Sequence, residues 1–432
     1  MSPKQTKRPL VAVVGATGTG KSQLAVSLAE QFNGEIINGD ALQMYEGLPI
    51  ATNKLSVQER KGVPHHLLGC VRLEEEPWTV RQFHERATSI IDDIRSRGKL
   101  PILAGGTHYY TQSLMFNKVL EEDKSEHLSL EEQNHTWPIL EASTEDMLEE
   151  LRKVDPDMAM RWHPKERRKI RRSLEIWLQT GKRASEVYKE QRCGDNTGVG
   201  GGNSTSHLSL AHDTLVFWTH ARSDILSARL DERVDNMIST GLLDEAQSMA
   251  TFLSAQQHQG LEIDQGKGIW VAIGFKELLP YLRNGNAPGN TRQEGIERIK
   301  IATRQYAKRQ ARWVRLTLLQ EMAMAQADSM MFLLDATDVS QWSSLIEVPA
   351  REITAAFLNG DPLPSPNSLS DLAKELLIAE RKEKLASRHC MLCNKTLMSE
   401  AQWILHSKSK GHRSAARPEI DWQALYPKKE RE

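Results

Sequence analysis

The chain is poor in cysteine, in aromatic residues and in unbalanced charge. Four cysteines among 432 residues are too few for the disulfide framework of a small secreted module. Cys70 and Cys193 stand alone and read as inert thiols, which leaves Cys390 and Cys393 as a spaced pair. A formal net charge of −1 excludes a molecule-wide basic field, so any nucleic-acid role must come from local patches. No run approaches the roughly 18 apolar residues of a membrane span. The opening "MSPKQTKRPL" is too short before the first apolar run for a signal or transit peptide. These absences predict a soluble protein of a reducing compartment, the cytoplasm, with mitochondria and nucleus left open. What the chain does have is bulk: 39% apolar residues, enough to build two or three domains.

Residues 9–15 read as a buried strand, 20–32 as a helix with Leu24, Leu28 and Phe32 on one face, and 34–40 as a second strand. A helix follows over 79–98, with Thr79 as its cap and Gly98 as its stop, and then a third strand over 100–107. Strands alternating with helices predict a parallel sheet covered on both faces, an α/β core. From 119 the pattern turns helical and highly charged, and it reaches a glycine-rich loop at 193–207. Strand character returns at 213–221 and again at 330–337. The expected division is a catalytic core at 9–118 and 208–340, a helical insertion at 119–207, a linker at 359–371, and a charged helix with a small terminal module at 372–432.

Between the first strand and its helix lies "GATGTGKS", the eight residues Gly15, Ala16, Thr17, Gly18, Thr19, Gly20, Lys21 and Ser22. This is the phosphate-loop pattern in its proper context. Glycines let several backbone N–H groups converge on one anion, and the helix N-terminus adds partial positive charge. Lys21 supplies a point charge and Ser22 a ligand for Mg²⁺. Nucleotide hydrolases usually add a strand ending in aspartate that helps to hold the metal. Here the third strand ends in Gly105-Gly106-Thr107, and Asp335, after "MFLL", reads as a polar strand end. The acid beside the cradle is instead Asp40, at the C-terminal end of the second strand, where open parallel sheets place their ligands.

Several further segments join the loop: "NGDALQMY" (38–45), "IATNK" (50–54), "VPHHLL" (63–68), "AGGTHYY" (104–110), "HPKERRKIRRSLEIWLQTGK" (163–182), "RLDERVDNMISTGLLDE" (229–245), "AIGFKE" (272–277) and "TRQYAKRQARWVR" (303–315). Together, and in this order, they resemble the tRNA dimethylallyltransferases (tRNA isopentenyltransferases) in a eukaryotic form. The resemblance implies that the loop holds the diphosphate of dimethylallyl diphosphate. The prenyl group then goes to N6 of the adenosine immediately 3′ of a tRNA anticodon. It implies Asp40 as the base, Thr19 and Lys21 at the reacting end, Arg233 directed at the diphosphate, and a monomeric protein. Ala41, Leu42, Gln43, Thr107, Phe275 and Lys276 fall where the family meets tRNA. Phe275 stands where tyrosine is common, which removes a hydroxyl. Two alternatives share the cradle, an adenylate isopentenyltransferase and a P-loop small-molecule kinase. Neither needs an anticodon grip.

A base stacked in an anticodon loop must be flipped out before it can react, so the protein must also grip RNA. Residues 161–172 carry seven Lys/Arg against one Glu, among them Arg168, Lys169, Arg171 and Arg172. Residues 303–315 carry five Lys/Arg and no acid, with Lys308, Arg309, Gln310, Arg312 and Arg315 as expected contacts and Tyr306 and Trp313 interleaved. Phosphate contacts and stacking are what such patches supply. The segment 118–147 is longer and more acidic than the resemblance leads one to expect.

The terminal module contains Cys390-x₂-Cys393-x₁₂-His406-x₅-His412, a spacing that suits a tetrahedral zinc site on a hairpin and helix. About 30 residues cannot bury enough core without a metal, so Zn²⁺ is expected to be structural. The tail "HSKSKGHR" resembles the matrin-type finger, which implies RNA contact through Lys395, Lys408, Lys410 and Arg413.

Overall fold

Apolar strands punctuated by amphipathic helices leave few ways to bury both sheet faces, and the computed structural model adopts the expected one. It describes residues 8–117, 137–193, 208–261, 263–285, 287–377, 385–393, 395–409 and 412–413. Backbone contacts divide the chain into two units, Met1–Glu122 with His207–Glu380, and Asp123–Ser206 with Arg381–Glu432.

In the first unit six strands are all parallel: β1 (Pro9–Gly15), β2 (Gly34–Asn38), β3 (His65–His66), β4 (Leu100–Ala104), β5 (Asp213–His220) and β6 (Met331–Asp335). Their order is β3-β2-β4-β1-β5-β6. The two-residue β3 is too short to leave a periodic signal, and it was not anticipated. Side chains of β1 alternate across the sheet, with Leu10, Ala12 and Val14 in one core layer and Val11 and Val13 in the other. Helix α1 (Lys21–Gln31) packs Leu24 and Leu28 on the second face. On the first face lie α2 (Val80–Ser96), α3 (His108–Met115), α4 (Ser223–Ser239) and α5 (Arg292–Trp313), which contribute Phe83, Leu114, Val234 and Ile299. Thr79 caps α2 through a reciprocal pair with Gln82, and Gly98 follows the helix at φ 69.

At the start of β2, Glu35 is only 2% exposed. Arg97 holds it through two bonds of 2.5 and 2.8 Å, Lys99 at 2.7 Å and His66 at 2.7 Å. Hydrogen bonding from Arg97 pulls this carboxyl far below the usual carboxylate range, against its burial. Asp335 behaves as a strand-end residue, and its carboxylate accepts from Thr337 N at 3.0 Å. The first unit extends beyond 340. Residues 359–371, expected as a linker, lie within it, with Leu363 and Leu369 packed on its core and Leu372, Ala373 and Leu376 buried just after.

The second unit contains helices Pro138–Glu141, Thr144–Val154, Pro156–Arg161, Arg167–Thr180 and Ala184–Cys193. Met147, Leu151, Ile170 and Leu174 form its core. Residues 118–136 of the acidic segment and 194–207 of the glycine-rich loop lie outside the described residues. The terminal module supplies an antiparallel hairpin, β7 (Leu385–Cys390) and β8 (Lys395–Ser399), then a helix, Glu400–Ser407, and β7 packs beside Pro156–Arg161.

Candidate active site

The sheet order places β1 between β4 and β5, so the first loop leaves the sheet where ligands bind in open α/β folds. Gly20 opens α1 in the left-handed region at φ 82, and the edge of the Trp342 ring would lie 2.2 Å from a Cβ placed there, so only glycine fits. Inside the loop, Lys21 Nζ donates to Ala16 O at 2.9 Å, and Thr19 Oγ1 donates to the same oxygen at 2.8 Å. Burial lowers the Lys21 ammonium to about 8, against the attraction of Asp40. Ser22 lines a small cavity of about 20 Å³ with Asn38, Gln43 and His65.

Two arginines reach the loop from α4. Arg233 Nη1 donates to Thr17 Oγ1 at 3.0 Å. Arg229 Nη1 donates to Gly18 O at 3.1 Å, and its Nη2 to Ala336 O and Thr337 O at 3.0 Å each. Neither forms a salt bridge among the described residues. Burial lowers Arg233 to about 10. Two cations without carboxylate partners beside a ring of amide donors make an anion site. Arg229 was missed in the sequence, although its i, i+4 spacing from Arg233 puts both on one helix face.

Asp40 is half-buried beyond the end of β2. Asn38 fixes its backbone, accepting from Asp40 N at 3.0 Å and donating to Asp40 O at 3.0 Å. The carboxylate accepts from Leu42 N at 3.1 Å, and Ala41 N donates to Thr107 Oγ1 at 2.9 Å. Burial raises the Asp40 carboxyl, with Lys21 pulling it back. A carboxyl raised by burial and coupled to the charge of a phosphate-loop lysine has the chemistry to accept a proton.

Other expected contacts are distributed unevenly. Thr19 is 1% exposed and 2.8 Å from the Thr219 hydroxyl, so its oxygen is wired into the loop. The Gln43 amide donates to Thr52 O and Asn53 O at 3.1 and 3.2 Å. Phe275 is 1% exposed, edge-on to Trp270 at 5.9 Å, which makes it a core residue with no free face for a base. Gln310 is 3% exposed with both ends of its amide engaged, so it too is turned inward and away from RNA. Its neighbours Lys308, Arg309 and Arg312 are exposed, as is Lys276, while Arg315 is half-buried. In the second unit Arg168 is exposed. Lys169 bonds Glu166 at 2.7 Å and lies 4.9 Å over the Trp162 ring, and Arg171 and Arg172 reach Glu175 at 2.9 and 3.5 Å. That patch is therefore partly neutralised by its own acids.

The terminal ligand set converges. One ligand atom each from Cys390, Cys393, His406 and His412 falls within 4.8 Å of all the others. His412 Nδ1 is 3.5 Å from each sulfur and 3.2 Å from His406 Nε2. A tetrahedron with zinc–sulfur and zinc–nitrogen bonds of ordinary length has S···N edges of about 3.5 Å, so the cluster fits a small zinc finger. Lys408 and Arg413 are exposed beside it, whereas Lys410 and the Lys395 side chain lie outside the described residues.

A parallel sheet carrying a phosphate loop, a carboxylate at its C-terminal edge and a Cys2His2 module defines the class: a P-loop group-transfer fold with a small Cys2His2 appendage. Residues 43–317 match the family model described as IPP transferase. The chain is 36% identical to the tRNA dimethylallyltransferase of Saccharomyces cerevisiae, over 94% of this chain and 92% of that one. It is 36% identical to the human tRNA dimethylallyltransferase, over 94% and 86%. Among solved structures, a eukaryotic dimethylallyltransferase acting on tRNA matches with a TM-score of 0.75 at 35% identity, covering 94% of this chain and 96% of that one. The full-length tRNA isopentenylpyrophosphate transferase of Bacillus halodurans matches with a TM-score of 0.51 at 30% identity, over 82% and 98%. The chain belongs to the IPP transferase family.

Proposed function

We propose that this chain transfers a dimethylallyl group from dimethylallyl diphosphate to N6 of the adenosine immediately 3′ of the anticodon in tRNA. One observation carries the reading: Asp40, a half-buried carboxylate raised by burial and drawn back by the charge of Lys21 in the phosphate loop, lies 3.3 Å from where a Cβ on Gly106 would sit, at the edge of the sheet that carries that loop. An exocyclic adenine amine is a weak nucleophile, and Asp40 takes its proton as the N6–C1 bond forms. The C1–O bond breaks, and its electron pair leaves with the diphosphate. Loop amides, Lys21, Arg233 and Arg229 balance that charge where it develops.

Mg²⁺ has a modest foothold in the protein. Among the described residues the only cluster of three or more His, Cys, Asp or Glu ligands is the terminal one, so Ser22 and the diphosphate oxygens would hold the ion, as is usual for a cation that arrives with phosphate. Bound there, it would neutralise leaving-group charge. Zn²⁺ in the terminal cluster would hold the hairpin to its helix. The RNA would lie on Lys308, Arg309, Arg312 and Lys276.

The test is single-turnover transfer to unmodified tRNA with Asp40→Ala. Transfer is expected to fall by at least about 10²-fold, the usual contribution of a general base, while tRNA affinity stays within about twofold. Wild-type transfer by that variant would refute the assignment. Replacing tRNA with AMP separates the adenylate-modifying alternative.

A further inference from the structure

The inner face of α5 carries a contact that the chemistry above leaves unused. Gln310 Oε1 accepts from Thr17 N at 2.8 Å, and Gln310 Nε2 donates to Gly106 O at 3.0 Å. The two backbone groups, one donor and one acceptor, fix which way the amide lies. Thr17 belongs to the phosphate loop. Gly106 adjoins the base: a Cβ placed on it would sit 2.3 Å from Gln310 Nε2 and 3.3 Å from Asp40 Oδ2. A single buried side chain thus ties the anion seat to the strand end beside Asp40.

Its neighbours on the same stripe reinforce the tie. Ala307, one turn earlier, packs with Ala16, Leu226 and Leu230. Trp313, one turn later, stacks on the buried His108 with ring centres 4.5 Å apart and planes 6° apart. The opposite stripe of α5 presents Lys308, Arg309 and Arg312 to solvent, without a salt bridge among the described residues. Just past Trp313 the helix widens into a π-turn over Val314–Leu318, a local irregularity that often accompanies function. The helix therefore has one face for phosphates of a polyanion and, one or two residues away in sequence, another for the reacting groups.

We infer that Gln310 is a positioning residue that couples RNA binding on the outer face of α5 to the donor cradle on its inner face. RNA seated on the basic stripe holds the helix still. Through Gln310 this also holds the Thr17 amide beside the donor and the Gly106 carbonyl beside the base. The inference rests on the function proposed above. Coupling between two sites is reciprocal, so RNA tightens diphosphate by the same factor as diphosphate tightens RNA.

Calorimetry on the full chain tests this, with inorganic diphosphate and Mg²⁺ titrated in the absence and presence of a saturating unmodified anticodon stem-loop. Wild-type protein should bind diphosphate about fivefold tighter, or more, with RNA present. Gln310→Met keeps the volume and loses both hydrogen bonds. Its coupling factor should fall to about one and its kcat should drop, with KM for RNA little changed. Gln310→Glu keeps the acceptor for Thr17 N–H and loses the donor to Gly106, so an intermediate factor is expected. It also serves should the methionine variant fail to melt cooperatively. A wild-type factor of one, or a wild-type factor in a folded variant, overturns the coupling and leaves the proposed function standing. A wild-type chain that cannot prenylate tRNA overturns both.

Discussion

Burial draws the ionisation of Lys21 and Asp40 together, the lysine down and the carboxyl up, and each charge opposes the other's shift. The proposed mechanism needs the lysine protonated and the aspartate ionised. As pH rises through about 8, free enzyme loses the Lys21 proton, so kcat/KM for the donor should decline there. On the acid side it should fall as Asp40 takes up a proton. Bound diphosphate favours the ammonium, so the basic limb of kcat should lie higher than that of kcat/KM, and Lys21→Arg should remove the limb altogether. A pH–rate series on the wild type and this variant checks both. The places of these two residues were legible because they follow from position: one closes a glycine turn, the other lies just beyond a strand. Phe275 and Gln310 were misplaced because their neighbours come from distant segments, and local spacing carries no sign of burial. His108 was passed over for the same reason. Burial, aided by Lys21, lowers it to about 4, so it stays neutral at working pH.

Among elements, β2 depends on charges that converge from the turn between α2 and β4 and from β3. The folded carboxyl of Glu35 lies below its unfolded value of about 4.3, so the native state binds the proton less readily. Its stabilising contribution is therefore present above about pH 4.3 and is lost as pH falls below that. Glu35→Gln should lower the melting temperature at pH 7, and the gap to wild type should close on acidification below about pH 4. Scanning calorimetry at several pH values reads this directly. Helix α5 makes a separate prediction. Arg309→Gln or Arg312→Gln should raise KM for tRNA with kcat nearly intact, and should flatten the salt dependence of binding by about one unit of slope each. The long strands and α2 could be read from periodicity and from the Thr79–Gln82 cap. The two-residue β3 could not, and the segment 359–371 looked like a linker because proline and serine mask the few leucines that anchor it.

At the scale of the whole molecule, the Cys2His2 module should behave as a separable dependency. If the cluster holds Zn²⁺ as proposed, a chelator should unfold the hairpin and weaken tRNA binding, while diphosphate affinity and the main melting transition of the sheet unit stay unchanged. Circular dichroism with parallel diphosphate titrations would show it. The spacing of four ligands made this module legible, because a metal site is written in residue identity and interval. The partition of the chain was harder to read, since contiguous sequence does not announce that Asp123–Ser206 and Arg381–Glu432 form one unit and the rest another. That interleaving has a consequence for biosynthesis. A ribosome extrudes the helical insertion long before the segment that completes its unit, and the sheet around the insertion must assemble in the interval. Arg381–Glu432 leaves the exit tunnel roughly two hundred codons later and then joins a half-built neighbour. A stop codon just before Arg381 would thus leave a complete sheet attached to an orphaned helical insertion.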